Sequence, residues 1–266
     1  MSQANQCANC NRDIDVPNQK FCPTCGQPTP THRIDWHFIG HEMEHSLLHM
    51  DRGIFYSLKS LMIKPGVFIR DYIEGRRARH VKPLMLVMIM TTIMLFLAKY
   101  FTKGDLMSAG LSDSQQMAIG AKASGHIYLD SLLNNLAVVK DWMNRHYAAT
   151  TVILLPWEAI SFKLAFRRIG NLNYPEWLVI TTYLTAQSFV IMAFALPIGY
   201  WLPSTRSWLT VIASAYGIFT LMQFFKTSPR WETALRGLVA LGFFTLTSGV
   251  LTFALAVVLF VLAGRH

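Results

Sequence analysis

The chain carries little charge, and acidic residues are the scarcer kind. Charged residues are 15% of its 266 residues, with 24 Lys and Arg against 15 Asp and Glu. Soluble domains carry about 25%, so the composition argues against an ordinary soluble protein. The hydrophobic content of 52% favours an integral membrane protein instead. The net charge of +9 is typical of proteins that meet anionic lipid or nucleic acid.

Cysteine is also scarce, and its four occurrences form one pattern. Cys7, Cys10, Cys22 and Cys25 read C-x2-C-x11-C-x2-C, a spacing typical of a closed, structural Zn²⁺ site with four thiolate ligands. A module this short cannot build a hydrophobic core, so the metal would supply its folding energy. We predict one structural Zn²⁺ in a zinc ribbon at residues 1–30, with two disulfides as the alternative. Reduced thiols would place this N-terminal module in the cytosol.

The first 30 residues lack the apolar run of a secretory signal, whereas the rest of the chain is rich in such runs. A membrane span needs about 20 apolar residues. The predicted fold is therefore an all-α polytopic membrane protein, with a five-helix transmembrane domain over residues 83–266. We expect the second span to be marginal and interrupted by Pro156 and Glu158. The five apolar stretches are residues 83–101, 150–166, 176–202, 207–225 and 235–263.

The distribution of basic residues predicts the orientation of these spans. Eleven Lys and Arg precede the first span, and cytosolic loops are enriched in such residues. We expect a cytosolic N-terminus and, with five spans, a C-terminus on the opposite side. The large external loop, about residues 102–149, is expected to contain one amphipathic helix, which packs on the bundle or serves as a lid or partner surface.

Residues 31–82 have the pattern of amphipathic juxtamembrane helices in the cytosolic interface. A basic cluster follows them, and it either orients the first span or binds a lipid headgroup or phosphate. The bilayer, with anionic headgroups, is the expected partner. The cluster consists of Arg70, Arg76, Arg77, Arg79 and Lys82.

Histidines recur every four residues before these helices, at His37, His41, His45 and His49. Residues 41–45 read H-E-x-x-H, the pattern in which two histidines bind Zn²⁺ and a glutamate acts as general base. This makes His41, His45 and His49 candidates for a second metal site and Glu42 a candidate catalytic base. The alternatives are a pH-sensitive stripe and a packing face.

Three polar side chains fall inside the predicted spans: Glu158, Gln187 and Gln223. A carboxylate at that depth is costly unless it is paired or wetted. Glu158 beside Pro156 therefore indicates either a solute site in a broken helix or a satisfied contact between helices. The two glutamines are expected to join neighbouring helices through hydrogen bonds.

The order of these motifs resembles a bacterial family of unknown function, DUF3667. The resemblance rests on the four cysteines, the H-E-x-x-H, DRGIFYSLK at 51–59, KPGVFIRDYIEGRR at 64–77, and Lys82-Pro83 before a span. It covers about residues 7–100. The resemblance implies an architecture and a bacterial inner-membrane location but no activity.

The sequence favours a docking scaffold that faces the cytosol, or a carrier for a lipid or small solute. The alternative is a membrane zinc metallohydrolase that uses the H-E-x-x-H. A cytosolic protein is a candidate partner of the ribbon, and a homo-oligomer is left open. Nucleic acid is disfavoured because the ribbon itself carries only Arg12 and Lys20.

Overall fold

A computed structural model describes residues 6–14, 19–40, 53–102, 127–202 and 206–263. These residues are helical beyond the N-terminal module; they contain no β-strand, only two isolated bridges. Residues 36–40 are a short helical segment. The longer helices are α1 (Ile54–Ile63), α2 (Pro65–Ile73), α3 (Pro83–Phe101), α4 (Ile127–Arg145), α5 (Tyr147–Ala165), α6 (Tyr174–Trp201), α7 (Arg206–Phe224) and α8 (Arg230–Ala263).

Four of the five predicted spans form helices long and apolar enough to cross a membrane. They are α3, α5, α6 and α8. The remaining stretch forms α7, whose described apolar part, Thr210–Phe224, is shorter than the other four. The fold class is therefore all-helical with four candidate membrane-spanning helices. A helix, α4, also occupies the segment where the sequence predicts one between the first two spans.

The helix α6 lies at the centre of the bundle, packed against α3, α5 and α7. A cluster of aromatic rings fills the space around its first turns: Phe166 lies 5.2 Å from Trp177 and 5.2 Å from Phe225 between ring centroids. By contrast, only 6% of the apolar window of α8 is buried. An apolar helix that buries so little of itself is suited to contact with lipid.

The second span differs from its prediction because Pro156 does not interrupt it. Helix α5 runs unbroken from Tyr147 to Ala165 with Pro156 inside it. The carbonyl of Pro156 also accepts a hydrogen bond from the Tyr174 hydroxyl, at 3.0 Å. Neighbouring side chains of this kind let apolar helices tolerate a proline.

Helices α1 and α2 form a hairpin that turns at Lys64. Pro65 begins α2, and because proline has no N–H it cannot bond the carbonyl of Leu61. That carbonyl accepts from Gln187 Nε2 of α6 at 3.2 Å instead. Gln187 Oε1 in turn accepts from Thr220 Oγ1 of α7 at 2.9 Å, so one buried amide joins three helices.

The next backbone groups of the turn also have partners in the bundle. The Tyr216 hydroxyl of α7 donates to the carbonyl of Met62. The N–H of Gly66 donates to Gln223 Oε1, also on α7, at 3.2 Å. The turn of the hairpin is thus wedged against α6 and α7, in addition to the local bond from the Lys64 N–H to the carbonyl of Ser60.

Gly66 is the point of closest approach between α2 and α7. A Cβ built there would lie 2.4 Å from Gln223 Cβ and 2.5 Å from both Phe224 N and Thr220 O. Two of these atoms belong to the α7 backbone and cannot move aside. The absence of a side chain therefore permits the crossing.

We predict that Gly66→Ala destabilises the protein by about 1–3 kcal/mol, because the added methyl forces α2 away from α7. Thermal unfolding in detergent measures the effect. Gly217→Ala on α7 is the matched control, since its Cβ would meet nothing within 4 Å and alanine is the better helix former by up to about 1 kcal/mol. A melting temperature for Gly66→Ala at or above that of Gly217→Ala would contradict this packing.

Candidate functional site

The four cysteines converge on one point. Their sulfur atoms all lie within 4.8 Å of one another, as one shared metal ion requires. Cys7 Sγ lies 3.6 Å from Cys25 Sγ, and Cys10 Sγ lies 3.5 Å from Cys22 Sγ. All four are free thiols, and these separations far exceed the roughly 2.05 Å of a disulfide bond. The cluster could therefore hold a metal ion.

Two turns of the same geometry carry the two cysteine pairs. In each, a residue with positive φ follows the second cysteine: Asn11 at 57° and Gly26 at 73°. Asparagine and glycine tolerate this conformation best. Each turn is closed by the same two backbone hydrogen bonds, all of 2.8 Å: Cys7 N to Arg12 O and Asn11 N to Cys7 O, then Cys22 N to Gln27 O and Gly26 N to Cys22 O.

The backbone of the second turn also favours the thiolate form of its first cysteine. Hydrogen bonds from the backbone of Cys25 and of Thr24 lower the pKa of the Cys22 thiol to about 6. A thiolate is the form of cysteine that binds metal.

Gln27 attaches this cysteine module, residues 6–31, to the end of the hairpin. Its side chain is 2% exposed, and its Nε2 donates to the carbonyl of Gly75 at 2.8 Å and to Thr31 Oγ1 at 2.9 Å. Its Oε1 accepts from the N–H of Arg77 at 3.0 Å. One buried amide thus bonds two backbone groups of the turn that follows α2.

The contact is close because Gly75 has no side chain. Its φ is +94°, and a Cβ there would lie 2.8 Å from Thr31 Cγ2 and 3.6 Å from Ala8 Cβ. The backbone turn of the hairpin therefore lies directly against the cysteine module.

A second attachment joins the segment after the module to the start of α6. Arg33 makes a bidentate pair with Glu176, at 2.6 Å and 2.8 Å, although Glu176 is only 3% exposed. Asn173 caps α6 in a reciprocal capping box with Glu176, and its Nδ2 donates to the carbonyl of Ile34 at 2.8 Å. Charge-assisted bidentate pairs are among the stronger polar contacts in proteins.

Three members of the predicted lipid-binding cluster have partners inside the protein. Arg70 bonds through its guanidinium to the carbonyls of Gln223 and Phe224, at the negative end of the α7 dipole. Arg76 pairs with Asp71 at 2.6 Å and with Glu74.

Arg77, the third, donates to the carbonyls of Tyr72 and His32, with its guanidinium carbon 4.3 Å from the centroid of the Phe38 ring. Arg79 and Lys82 make no ion pair with any residue that the structure describes. Lipid contact by this cluster stays a prediction.

The hairpin and the start of α3 are the part of the chain with recognisable relatives. Residues 51–95 match the family model DUF3667, a protein of unknown function. The match confirms the resemblance inferred from the sequence, over a shorter segment than the predicted 7–100. No curated protein and no solved structure matches the chain.

The DUF3667 segment also forms an open cavity on its surface. Its volume is about 310 Å³, and all of its lining residues, among them Tyr56, Lys59, Ser60, Lys64, Asp71 and His80, lie within the matched residues. The His80 ring lies 4.3 Å from Phe68, and its Nε2 is 3.2 Å from the Phe68 carbonyl. Burial lowers the pKa of His80 to about 4, so this imidazole is neutral at pH 7.

The three polar residues predicted inside the spans have protein partners. Glu158 Oε2 accepts from Thr185 Oγ1 of α6 at 3.0 Å. Gln187 and Gln223 bond to the turn of the hairpin. The two glutamines therefore join the bundle to the DUF3667 segment. The sequence predicts hydrogen bonds between neighbouring spans, whereas the structure directs these side chains to the turn of the hairpin.

The candidate second metal site lies outside the described residues. His41, Glu42, His45 and His49 all fall there, so the metal and catalytic hypotheses for them stay predictions. His37, at the start of the same stripe, is exposed in the helical segment 36–40.

Sequence reasoning missed Gln27, the Arg33–Glu176 pair and the cavity. Asn173 followed three residues later by Glu176 is a capping-box pattern, which indicates a helix start there but not Arg33 as the partner of Glu176. A lone glutamine after a cysteine turn carries no comparable signal, because its partners are backbone groups 48 and 50 residues away.

We predict that Gln27→Ala exposes residues 76–79 to trypsin, which cleaves after arginine. Losing the amide leaves the Gly75 carbonyl and the Arg77 N–H without partners, which lowers the free energy of local opening. The cleavage rate should therefore rise roughly tenfold or more. Gln6→Ala is the control, because the Gln6 amide donates to the exposed Asp13 carboxylate, within the module itself. Equal cleavage rates for the two variants would contradict the attachment.

Proposed function

We propose that the protein is a membrane docking scaffold, in which a zinc-bound cysteine module and the α1–α2 hairpin form one rigid unit at the cytosolic face of a five-span bundle. The observation that carries this proposal is the buried amide of Gln27, which bonds to the carbonyl of Gly75 and the N–H of Arg77. A module attached in this way holds the hairpin in a fixed position for a ligand or partner.

The donor set supports zinc as the metal. Zn²⁺ binds thiolates at about 2.3 Å, and a tetrahedron of that size has sulfur–sulfur edges of about 3.8 Å. The separations of 3.5 and 3.6 Å between cysteine sulfurs approach that value. Four protein ligands leave no open position on the ion, so the metal would stabilise the module rather than catalyse a reaction.

We expect one zinc per chain by elemental analysis of the detergent-purified protein. Cys22→Ser should lose the metal and, because metal and folding are coupled in such modules, expose residues 19–31 to proteolysis. The His41→Ala/His45→Ala variant should keep one zinc. Two zinc ions per chain, falling to one in the histidine variant, would contradict a single site and bring the metallohydrolase hypothesis forward.

The scaffold accounts for the contacts better than a carrier does. Polar groups that form a solute path need to be accessible to the solute. Here Glu158, Gln187 and Gln223 are already bonded to Thr185, Leu61 and Gly66. We therefore rank the carrier second, behind the scaffold.

The proposed topology has five spans in a bacterial inner membrane. The N-terminus lies in the cytosol and the C-terminus in the periplasm. The reduced cysteines and the basic N-terminal third support the orientation. Helix α7 supports the fifth span: its 19 residues extend about 28 Å at 1.5 Å per residue, close to the roughly 30 Å of the hydrocarbon core.

Alkaline phosphatase fusions test this topology, because the enzyme is active only outside the cytosol. A fusion after residue 263 should be active, and one after Thr227, between α7 and α8, should be inactive. An inactive fusion after residue 263 would exclude an odd number of spans with the N-terminus inside.

A further inference from the structure

The cavity between α1 and α2 has the chemistry of an anion site. Lys59 and Lys64 line it, and neither forms an ion pair with any residue that the structure describes. The Tyr56 and Ser60 hydroxyls, which can donate hydrogen bonds, belong to the same lining. The volume of about 310 Å³ is at the small end of the range for ligand pockets, about 300–1,000 Å³.

The other titratable groups of the cavity do not cancel this positive charge. The Asp71 carboxylate is paired with Arg76 at 2.6 Å, and Arg76 also pairs with Glu74. Even counted in full, the single negative charge of Asp71 is smaller than the charge of the two lysines. His80 is neutral, so it contributes neither attraction nor repulsion. The two lysines therefore leave the cavity with net positive charge.

The apolar side of the cavity shows what kind of anion it suits. Ile63 and Val67 line the same cavity and are 59% and 37% exposed, and Phe55 on α1 is 86% exposed. Lysine heads above exposed apolar side chains are typical of a protein surface at the level of lipid headgroups, with the apolar groups against acyl chains.

We propose that this cavity binds the phosphate of an anionic phospholipid, with Lys59 and Lys64 as its cationic ligands and Ile63 and Val67 against the acyl chain. This deepens the proposed scaffold function, on which it rests, by naming the ligand of the hairpin. It also moves the lipid site away from Arg70, Arg76 and Arg77, whose guanidinium groups already have partners in the protein.

The wedged turn explains why the cavity is preformed. Lys64 stands at the break between α1 and α2, and the flanking Leu61 carbonyl and Gly66 N–H are fixed by Gln187 and Gln223. The backbone on both sides of Lys64 is thus fixed before a lipid arrives, and such preorganisation reduces the ordering cost of binding.

The test measures binding of fluorescent phosphatidylglycerol to the full-length protein in phosphatidylcholine nanodiscs. Lys59→Gln/Lys64→Gln should weaken binding roughly 30-fold, since each headgroup-facing lysine contributes about a factor of five. Lys59→Arg/Lys64→Arg should retain binding. Lys163→Gln/Lys226→Gln is the matched control: it removes the same charge from two exposed lysines outside this cavity.

Each outcome supports or overturns the proposed lipid site. Equal loss in both glutamine pairs would show general attraction to surface charge and overturn the site, as would unchanged binding in Lys59→Gln/Lys64→Gln. Displacement of the lipid by soluble glycerol 3-phosphate would overturn the lipid in favour of a free phosphate ester. Zinc content and thermal unfolding of each variant show whether the module and fold are intact, so failure of the lipid site is distinguishable from failure of the scaffold.

Discussion

Pro65 follows the end of α1 almost directly, and because it has no N–H the Leu61 carbonyl, four residues earlier, lacks a helical partner where the hairpin meets the bundle. In apolar surroundings an unbonded backbone carbonyl costs several kcal/mol, so a neighbour must supply a donor. Gln187 supplies it, while Tyr216 and Gln223 bond the adjacent groups of the turn. This requirement explains Gln187, Tyr216 and Gln223. It also explains Gly66, which lets α7 come close enough to meet it.

The hairpin is held at its other end by the cysteine module. Gln27 binds the turn after α2, and Arg33 ties the following segment to Glu176 at the start of α6. Arginines also cap two helices of the bundle: Arg70 bonds the last carbonyls of α7, and Arg236 donates to the carbonyl of Ala165 at the end of α5. These two arginines therefore neutralise helix ends, whereas Lys59 and Lys64 form no ion pair within the described part of the chain.

Local patterns in the sequence predict the cysteine cluster, the helical class and five membrane spans, of which four form described helices of membrane length. Each depends on neighbours along the chain: cysteine spacing, or a long apolar run. Pro156 shows where such rules fail, since a tertiary partner, Tyr174, helps the helix continue through it. The Gln27 and Gln187 contacts were beyond prediction because their partners are backbone groups that become neighbours only after folding. Proximity in sequence suggests that the predicted lipid-binding cluster acts as one group. The fold separates its members, because Arg70 bonds to α7 and Arg77 lies over the Phe38 ring.

Two backbone amides report separately on the two ends of the hairpin: Gly66 N–H, bonded to Gln223 of the bundle, and Arg77 N–H, bonded to Gln27 of the cysteine module. Hydrogen exchange at both, in the metal-loaded protein and after chelation, tests the central claim that bundle and module each hold one end. We predict slow exchange at both amides with metal bound, and fast exchange at Arg77 alone after the metal is removed. Unchanged exchange at Arg77, or equal acceleration at Gly66, would contradict the account.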